Sequence, residues 1–446
     1  MVSSRHNTSL SKKRNLLLLQ KDPTRDIAFD VLCACLNHRY PLTDSLLRAV
    51  KKHQADPRDR AAAHRLAATT LRYFGTLRTV IEPFLHKEPP ESVQIALIMG
   101  CTQLLYLDTP PHAAVNTIVS LLHRYHFSPF AGLANAVLRK IATAGRSLLK
   151  NLDQPRLNIP PWLWRSWSMI GTDVPRAIAT TLCHEAPLDI TLRPNLLNTI
   201  LLDTMLESGG MLLPNGSLRF SADTVVTQLP NYTEGAFWVQ DVAASLPATL
   251  LSVQKGENVT DLCAAPGGKT AQLALTGANV TAIENNPARI AQLQDTIKRL
   301  QIAVNLIQAD ATTWKPDVLQ DAILIDAPCS ATGIARRHPD VLWTKRQSDI
   351  TTLTLTQDRL IAAAKNMIRP GGRMIYTVCS LQKEEGPDRA KAAESMGFIP
   401  DPFTREELAF LPDALTPEGW LRTHPGLWQE RGGMDGFFAA RFIRKN

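Results

Sequence analysis

No apolar run in the 446-residue chain approaches the roughly 20 residues that a membrane-spanning helix needs, which excludes a helical channel. The leucine run at 16–19 is too short for the core of a signal peptide. With no export signal, the seven cysteines are expected as reduced thiols in the cytosol. No pair of them has the Cys-x-x-Cys spacing of a zinc or redox motif, so no metal is expected. Phosphate loops are missing too. There is no G-x-G-x-x-G, and Lys269 lacks the upstream glycine of a Walker loop. No internal repeat is present. What remains is ordinary globular composition, 44% hydrophobic and 20% charged, in a chain long enough for two or three domains. A mostly disordered or collagen-like chain is excluded.

Charge is unevenly placed. The chain holds 49 Lys/Arg and 41 Asp/Glu, a net charge of +8. Residues 1–156 carry 22 of the basic and 11 of the acidic residues, so the whole excess lies in the first third. This points to a polyanion, most simply nucleic acid, although a solvated basic surface gives the same count.

Residues 1–21 read as a basic disordered arm. Residues 22–145 read as an all-helical bundle. Asp22-Pro23 and Asp56-Pro57 are helix starts, with the acid as cap and proline in the first turn. Ile27, Val31, Leu32 and Cys35 recur at helical spacing, as do Ala63, Leu66, Ala67, Thr70, Leu71 and Phe74. Further helices are expected over 92–107, 111–123 and 130–142. Prolines break the pattern over 146–235, and 188–193 alternates like a strand, so a small α/β connecting module is expected there. Over 236–446 strands at 258–262, 279–284, 304–308, 321–325 and 373–378 alternate with helices at 269–275, 287–300 and 349–368. Residues 436–443 could close a terminal hairpin. This predicts a multidomain chain ending in an α/β domain of Rossmann-like type, a mostly parallel sheet that binds its ligand at the carboxyl ends of its strands.

At the first of those strand ends stands Asp261-Leu-Cys-Ala-Ala-Pro-Gly-Gly-Lys-Thr270. Gly267-Gly268 permits close backbone approach, and a helix start favours electron-rich ligand atoms. Glu284 ends the second strand, 17 positions after Gly267, where an acid commonly accepts from ribose hydroxyls. Asp310 and Asp326 end the third and fourth. Three carboxylates at successive strand ends, without a phosphate loop, point to an adenosine-type cofactor lacking phosphates, with S-adenosylmethionine the obvious candidate. Cys329 and Cys379 follow the fourth and fifth strands, where a thiolate could attack an electrophilic carbon. Cys33, Cys35, Cys101 and Cys183 lie in helical or apolar runs and read as buried hydrophobes. Arg336-Arg337 suits RNA phosphates or a solvated turn. Trp162, Trp164 and Trp167 fit core packing better than base stacking.

Asp326-Ala-Pro-Cys329-Ser, Thr377-Val-Cys379-Ser and the 261–270 segment together resemble the Sun family of RNA 5-methylcytosine methyltransferases. Trp238-Val-Gln-Asp241, Ala244-Ser245, Leu192-Arg193-Pro-Asn195 and Asp435-Gly-Phe-Phe438 extend the likeness upstream and downstream. Leu71-Arg-Tyr73, Val115-Asn116 and 135–139 resemble a NusB-like RNA-binding domain. The resemblance implies a class I methyltransferase fold behind that bundle, and a cytosine in 16S ribosomal RNA as substrate, position 967 in standard bacterial numbering. It makes Cys379 the nucleophile and Cys329 the aid to product release, an order that spacing alone does not give. It assigns Cys263, Ala264, Ala265, Pro266, Gly267, Gly268 and Lys269 to the cofactor, Glu284 to its ribose, Asp310 to the adenine side and Asp326 near the methionine part. Asp326 is also catalytic, and Lys269 either orients it or contacts the cofactor. Glu284 stands where the family more often has Asp. Arg193, Arg336 and Arg337 are expected to face RNA. No membrane partner is expected, and the protein is expected to be a cytoplasmic monomer. The competing readings are methylation of another RNA such as tRNA, of an exocyclic amine or a protein, or a non-catalytic RNA-binding factor. The exocyclic-amine class typically has Asn/Asp-Pro-Pro-Tyr/Phe where Asp326-Ala-Pro-Cys329 stands.

Overall fold

The computed structural model describes residues 21–197 and 199–445, which form two compact units. The basic arm expected at 1–21 lies outside the described residues but for Lys21.

One unit runs to Trp164 and also takes in His338–Lys345. It is helical throughout, with helices Pro23–His38, Leu42–His53, Pro57–Arg72, Phe74–Ile81, Glu91–Leu105, Pro111–Arg124 and Ala131–Lys150. Both expected caps form. Asp22 Oδ1 accepts from Arg25 N at 3.2 Å and Asp56 Oδ1 from Asp59 N at 2.8 Å. Ile27, Val31, Leu32, Ala63, Leu71, Leu122 and Leu138 are fully buried in one core, each large side chain stabilising the fold by about 1.5–3 kcal/mol. Phe74 does not extend the helix of Leu71. The chain leaves helical geometry at Tyr73 and restarts, and Gly75 sits where a Cβ would lie 1.8 Å from Leu157 O. The 338–345 segment is fastened into this bundle. Trp343 Nε1 donates to Leu71 O at 2.8 Å, and Asp340 Oδ2 accepts from Leu42 N at 3.0 Å.

The other unit holds two sheets. The small one is antiparallel in the order β2-β3-β1-β4, from β1 (Leu188–Leu192), β2 (Met211–Leu212), β3 (Leu218–Phe220) and β4 (Phe237–Val239). Its β1 departs from simple alternation because Asp189 is buried, neutralised by Arg219 at 2.7 Å. The large sheet contains β5 (Asn258–Leu262), β6 (Asn279–Glu284), β7 (Asn305–Gln308), β8 (Gln320–Asp326), β9 (Ile368–Val378), β10 (Phe398–Pro400), β11 (Leu421–Arg422) and β12 (Phe438–Arg444). Its order is β10-β12-β9-β8-β5-β6-β7, with β11 paired to β12. Strands β5 to β9 are parallel. The last strand does more than close a hairpin with β11, because it inserts antiparallel between β9 and β10. The order reverses at β5, which pairs with β6 on one side and β8 on the other, so the crevice for a ligand opens at the carboxyl end of β5. No helix among the described residues is long and apolar enough to cross a membrane.

Candidate active site

Strands β5, β8 and β9 end in register, with Leu262 beside Ile325 and Asp326 beside Thr377. Everything that follows those residues projects to one side of the sheet. Beyond β5 the chain turns at Cys263 (φ +63°) and at Gly267 (φ +105°), where a Cβ would meet Leu293 Cδ1 at 2.6 Å. Glycine is required at 267 on both counts. Burial pushes the Cys263 thiol up to about 12, which keeps it protonated.

Lys269, at the start of the following helix, donates from Nζ to Asp326 Oδ2 at 2.7 Å and lies 5.0 Å from the centre of the Phe437 ring. Burial alone would lower its ammonium, but Asp326, with help from Cys379, holds it above its ordinary value. The lysine is therefore a fixed cation between a carboxylate and a thiol. Cys329 Sγ lies 3.4 Å from Cys379 Sγ, and both side chains are half-buried. The hydrogen bond to Cys379, followed by burial, drives the Cys329 thiol well above its ordinary value. Cys329 thus keeps its proton and can donate it toward Cys379. Cys33 and Cys35 are pushed up to about 12 by burial and Cys101 is raised as well, so they are inert thiols.

Two carboxylates offer unused oxygens. Glu284 accepts at Oε1 from Asn285 N (3.0 Å) and Asn286 N (3.1 Å). Its buried Oε2 has no hydrogen-bond partner, although Arg289 Nη1 is 3.3 Å away. Asp261 accepts from Thr270 Oγ1 at 2.6 Å on one oxygen, while its buried Oδ1 has no partner. Burial pushes the Asp261 carboxyl up to about 7. Arg289 also donates to Ala265 O at 2.6 Å, tying the glycine loop to the helix after β6. Neither Asp261 nor Arg289 was given a role on sequence grounds. A strand-end acid and an arginine in the first turn after Asn286 were the available signals. Asp310 is exposed and held below the usual carboxylate range by the N–H and hydroxyl of Thr312.

The arginines are placed differently from expectation. Arg336 is only 1% exposed. Arg337 donates to Asp241 Oδ2 at 2.8 Å, Asp435 Oδ2 at 3.2 Å and Pro187 O at 2.8 Å, with Asp189 Oδ2 3.7 Å away. With Arg219 they neutralise three buried acids from separate segments; Arg336 is enclosed, and Arg337 is occupied by acids while keeping 24% of its side chain exposed. Arg193 is half-buried and donates from Nε to Gly235 O at 2.8 Å. Trp167 is fully buried, as core packing requires, while Trp164 is half-buried and stacked under Arg156 at 4.7 Å.

Comparison with known proteins gives the family and the fold. Residues 248–443 match the profile of the family described as 16S rRNA methyltransferase RsmB/F, and residues 22–143 match the NusB family. The ribosomal RNA small subunit methyltransferase B of Cronobacter sakazakii is 31% identical over 88% of this chain and 92% of its own. The crystal structure of PH0851 superposes with a TM-score of 0.74, covering 96% of this chain and all of the other at 23% identity. NSun6 from Pyrococcus horikoshii, solved with SFG, has a TM-score of 0.55 over 64% of this chain and 98% of its own, at 20% identity. Identity above 30% along nearly the full length of a curated relative, with the two profiles in this order, shows that the chain belongs to the RsmB/F family of 16S rRNA methyltransferases.

Proposed function

We propose that the protein methylates carbon 5 of a cytosine in 16S ribosomal RNA, at the position expected to be 967, using S-adenosylmethionine. The observation that carries this reading is the pair of thiols 3.4 Å apart beside the Lys269–Asp326 ion pair. Methylation of an exocyclic amine has no use for a thiol nucleophile.

The site has the features a nucleoside-bearing cofactor needs. Glu284 Oε2 and Asp261 Oδ1 are buried oxygens without hydrogen-bond partners, and the turn at Gly267 lets backbone approach closely. Glu284, Asp261 and the 263–268 loop would hold the cofactor, with Asp310 on the adenine side. When bound, S-adenosylmethionine supplies an electrophilic methyl group.

The remaining chemistry belongs to the chain. Cytosine carbon 5 is a poor nucleophile because its ring is electron-poor. The Cys379 thiolate, facing the Lys269 cation, adds to carbon 6, and the electrons shift to make carbon 5 enamine-like. Asp326, when protonated, donates toward N3 and offsets the charge that develops there. After carbon 5 has been methylated it gives up its proton to water, the bonding electrons re-form the carbon 5–carbon 6 double bond and expel the Cys379 thiolate, and N3 returns its proton to Asp326. Cys329, protonated and adjacent, assists that release. The bundle over 22–145 docks the RNA through its basic excess, and the target base must be unstacked to reach Cys379.

The test is incubation with S-adenosylmethionine and small-subunit RNA lacking the modification, followed by bisulfite mapping. One new protected cytosine is expected. None, with cofactor binding confirmed by calorimetry, sinks the proposal.

A further inference from the structure

Six positions after Cys379, Glu385 is completely buried. Its Oε2 accepts from both Ser330 Oγ and Ser380 Oγ at 2.5 Å. Its Oε1 accepts from Ser330 N at 2.8 Å and Gln357 Nε2 at 3.1 Å. Its own carbonyl accepts from Tyr376 OH at 2.6 Å. Each serine directly follows one of the two cysteines. Gln357 also donates to Pro328 O at 3.0 Å, just ahead of Cys329. A buried carboxylate is costly unless its acceptor sites are filled, and here four donors fill them.

We propose that Glu385 is a positioning residue that fixes the Cys329 and Cys379 loops relative to each other, resting for its catalytic meaning on the two-cysteine reading above. One oxygen shared by both serines leaves little freedom for the two loops to separate. The thiols, one residue away on each side, inherit that constraint. The carboxylate hydrogen-bonds to neither thiol: it holds the two loops through Ser330 and Ser380, and its charge adds to the rise of the Cys329 thiol. A backbone bond from Gly333 N to Cys379 O at 3.0 Å joins the loops farther out, so Glu385 anchors them at their base.

The test uses the full chain and needs neither RNA nor cofactor for its first readout. The thiols are oxidised with diamide, and the Cys329–Cys379 disulfide is quantified over time by mass spectrometry. Glu385→Asp is one methylene too short to reach both serines, and is expected to form this disulfide at least about tenfold more slowly, since misplacement by an ångström costs reacting groups up to about 10²-fold. Its kcat is expected to fall by a similar factor, with the KM for S-adenosylmethionine within about twofold of the parent. Glu385→Gln has the original length, and the serine hydroxyls can turn to accept from its amide. It is expected to restore most of both rates. Should Glu385→Asp fail to fold by circular dichroism, the Ser330→Ala/Ser380→Ala double variant replaces it with the same expected loss. Parental cross-linking rates in the shortened or double variant would overturn the proposal, as would a loss that Gln does not restore. A parent that never methylates RNA, while cross-linking still depends on residue 385, would refute the proposed function and leave the clamp standing.

Discussion

Cys329 Sγ and Cys379 Sγ lie 3.4 Å apart although 50 positions separate them in the chain. They meet because β8 and β9 are parallel neighbours whose ends are in register at Asp326 and Thr377. The Cys329 thiol is raised by its bond to Cys379 and by burial, so it keeps its proton. The two substitutions should therefore behave differently. Cys379→Ala is expected to abolish methylation and to form no adduct. Cys329→Ala is expected to retain addition to carbon 6 but to release product slowly, leaving a covalent RNA–protein band on denaturing gels. A band from the Cys379→Ala protein would reverse the assignment.

Lys269 is the cation of the site, held charged by Asp326 at 2.7 Å. Lys269→Met removes that charge while keeping much of the aliphatic volume against Phe437. Single-turnover methylation is expected to slow by about 10²-fold, the scale of one acid–base contribution. Cofactor affinity measured by calorimetry is expected to stay within about threefold. Loss of affinity with an unchanged bound-state rate would make Lys269 a cofactor contact instead.

Much of the catalytic unit could be read in the sequence for a physical reason. Strands buried on both faces are short apolar runs, and β5 and β6 end where an acid, Asp261 or Glu284, approaches the ligand side. The site cysteines were legible because each follows such a strand. The ion pairs of Arg337 were not legible because Asp189, Asp241 and Asp435 come from three distant segments, and no local pattern shows that they converge on it. Glu385 was missed likewise, since its donors Ser330 and Gln357 lie 55 and 28 positions away. The excursion of 338–345 into the helical unit has no composition of its own to announce it. Its anchors are Trp343 and Asp340.

Arg337 is expected to matter for stability and not for RNA affinity. Arg337→Met leaves Asp241 and Asp435 without their main cation, and breaking a buried charge cluster from one side costs about 3–5 kcal/mol. Urea denaturation should show a loss of that order. At low temperature, where the variant remains folded, its RNA dissociation constant and the salt dependence of binding should match the parent. A flattened salt slope would restore Arg337 to the phosphate contacts.

Asp261 gives the fold a pH dependence of definite sign. Burial raises its carboxyl from the ordinary 3.8 to about 7. Between those values the folded chain keeps a proton that the unfolded chain has already released, so stability is fully present below pH 4 and declines as the pH rises to about 7. Asp261→Asn cannot ionise, and its amide oxygen can still accept from Thr270. The variant should therefore gain on the parent by about 1.4 kcal/mol for each pH unit between 5 and 7, and by nothing further above that. Asp435 is raised in the same direction, by burial and by Asp241, but it is present in both proteins and cancels in the difference. Urea midpoints at pH 5, 6, 7 and 8 measure this directly. A stability difference that stays flat from pH 5 to 7 would mean that Asp261 is ionised in the folded chain. Its unpartnered oxygen would then carry a charge beside the cofactor loop, and repulsion from Asp326 and Glu284 would have to be offset by the Thr270 hydrogen bond and by Lys269.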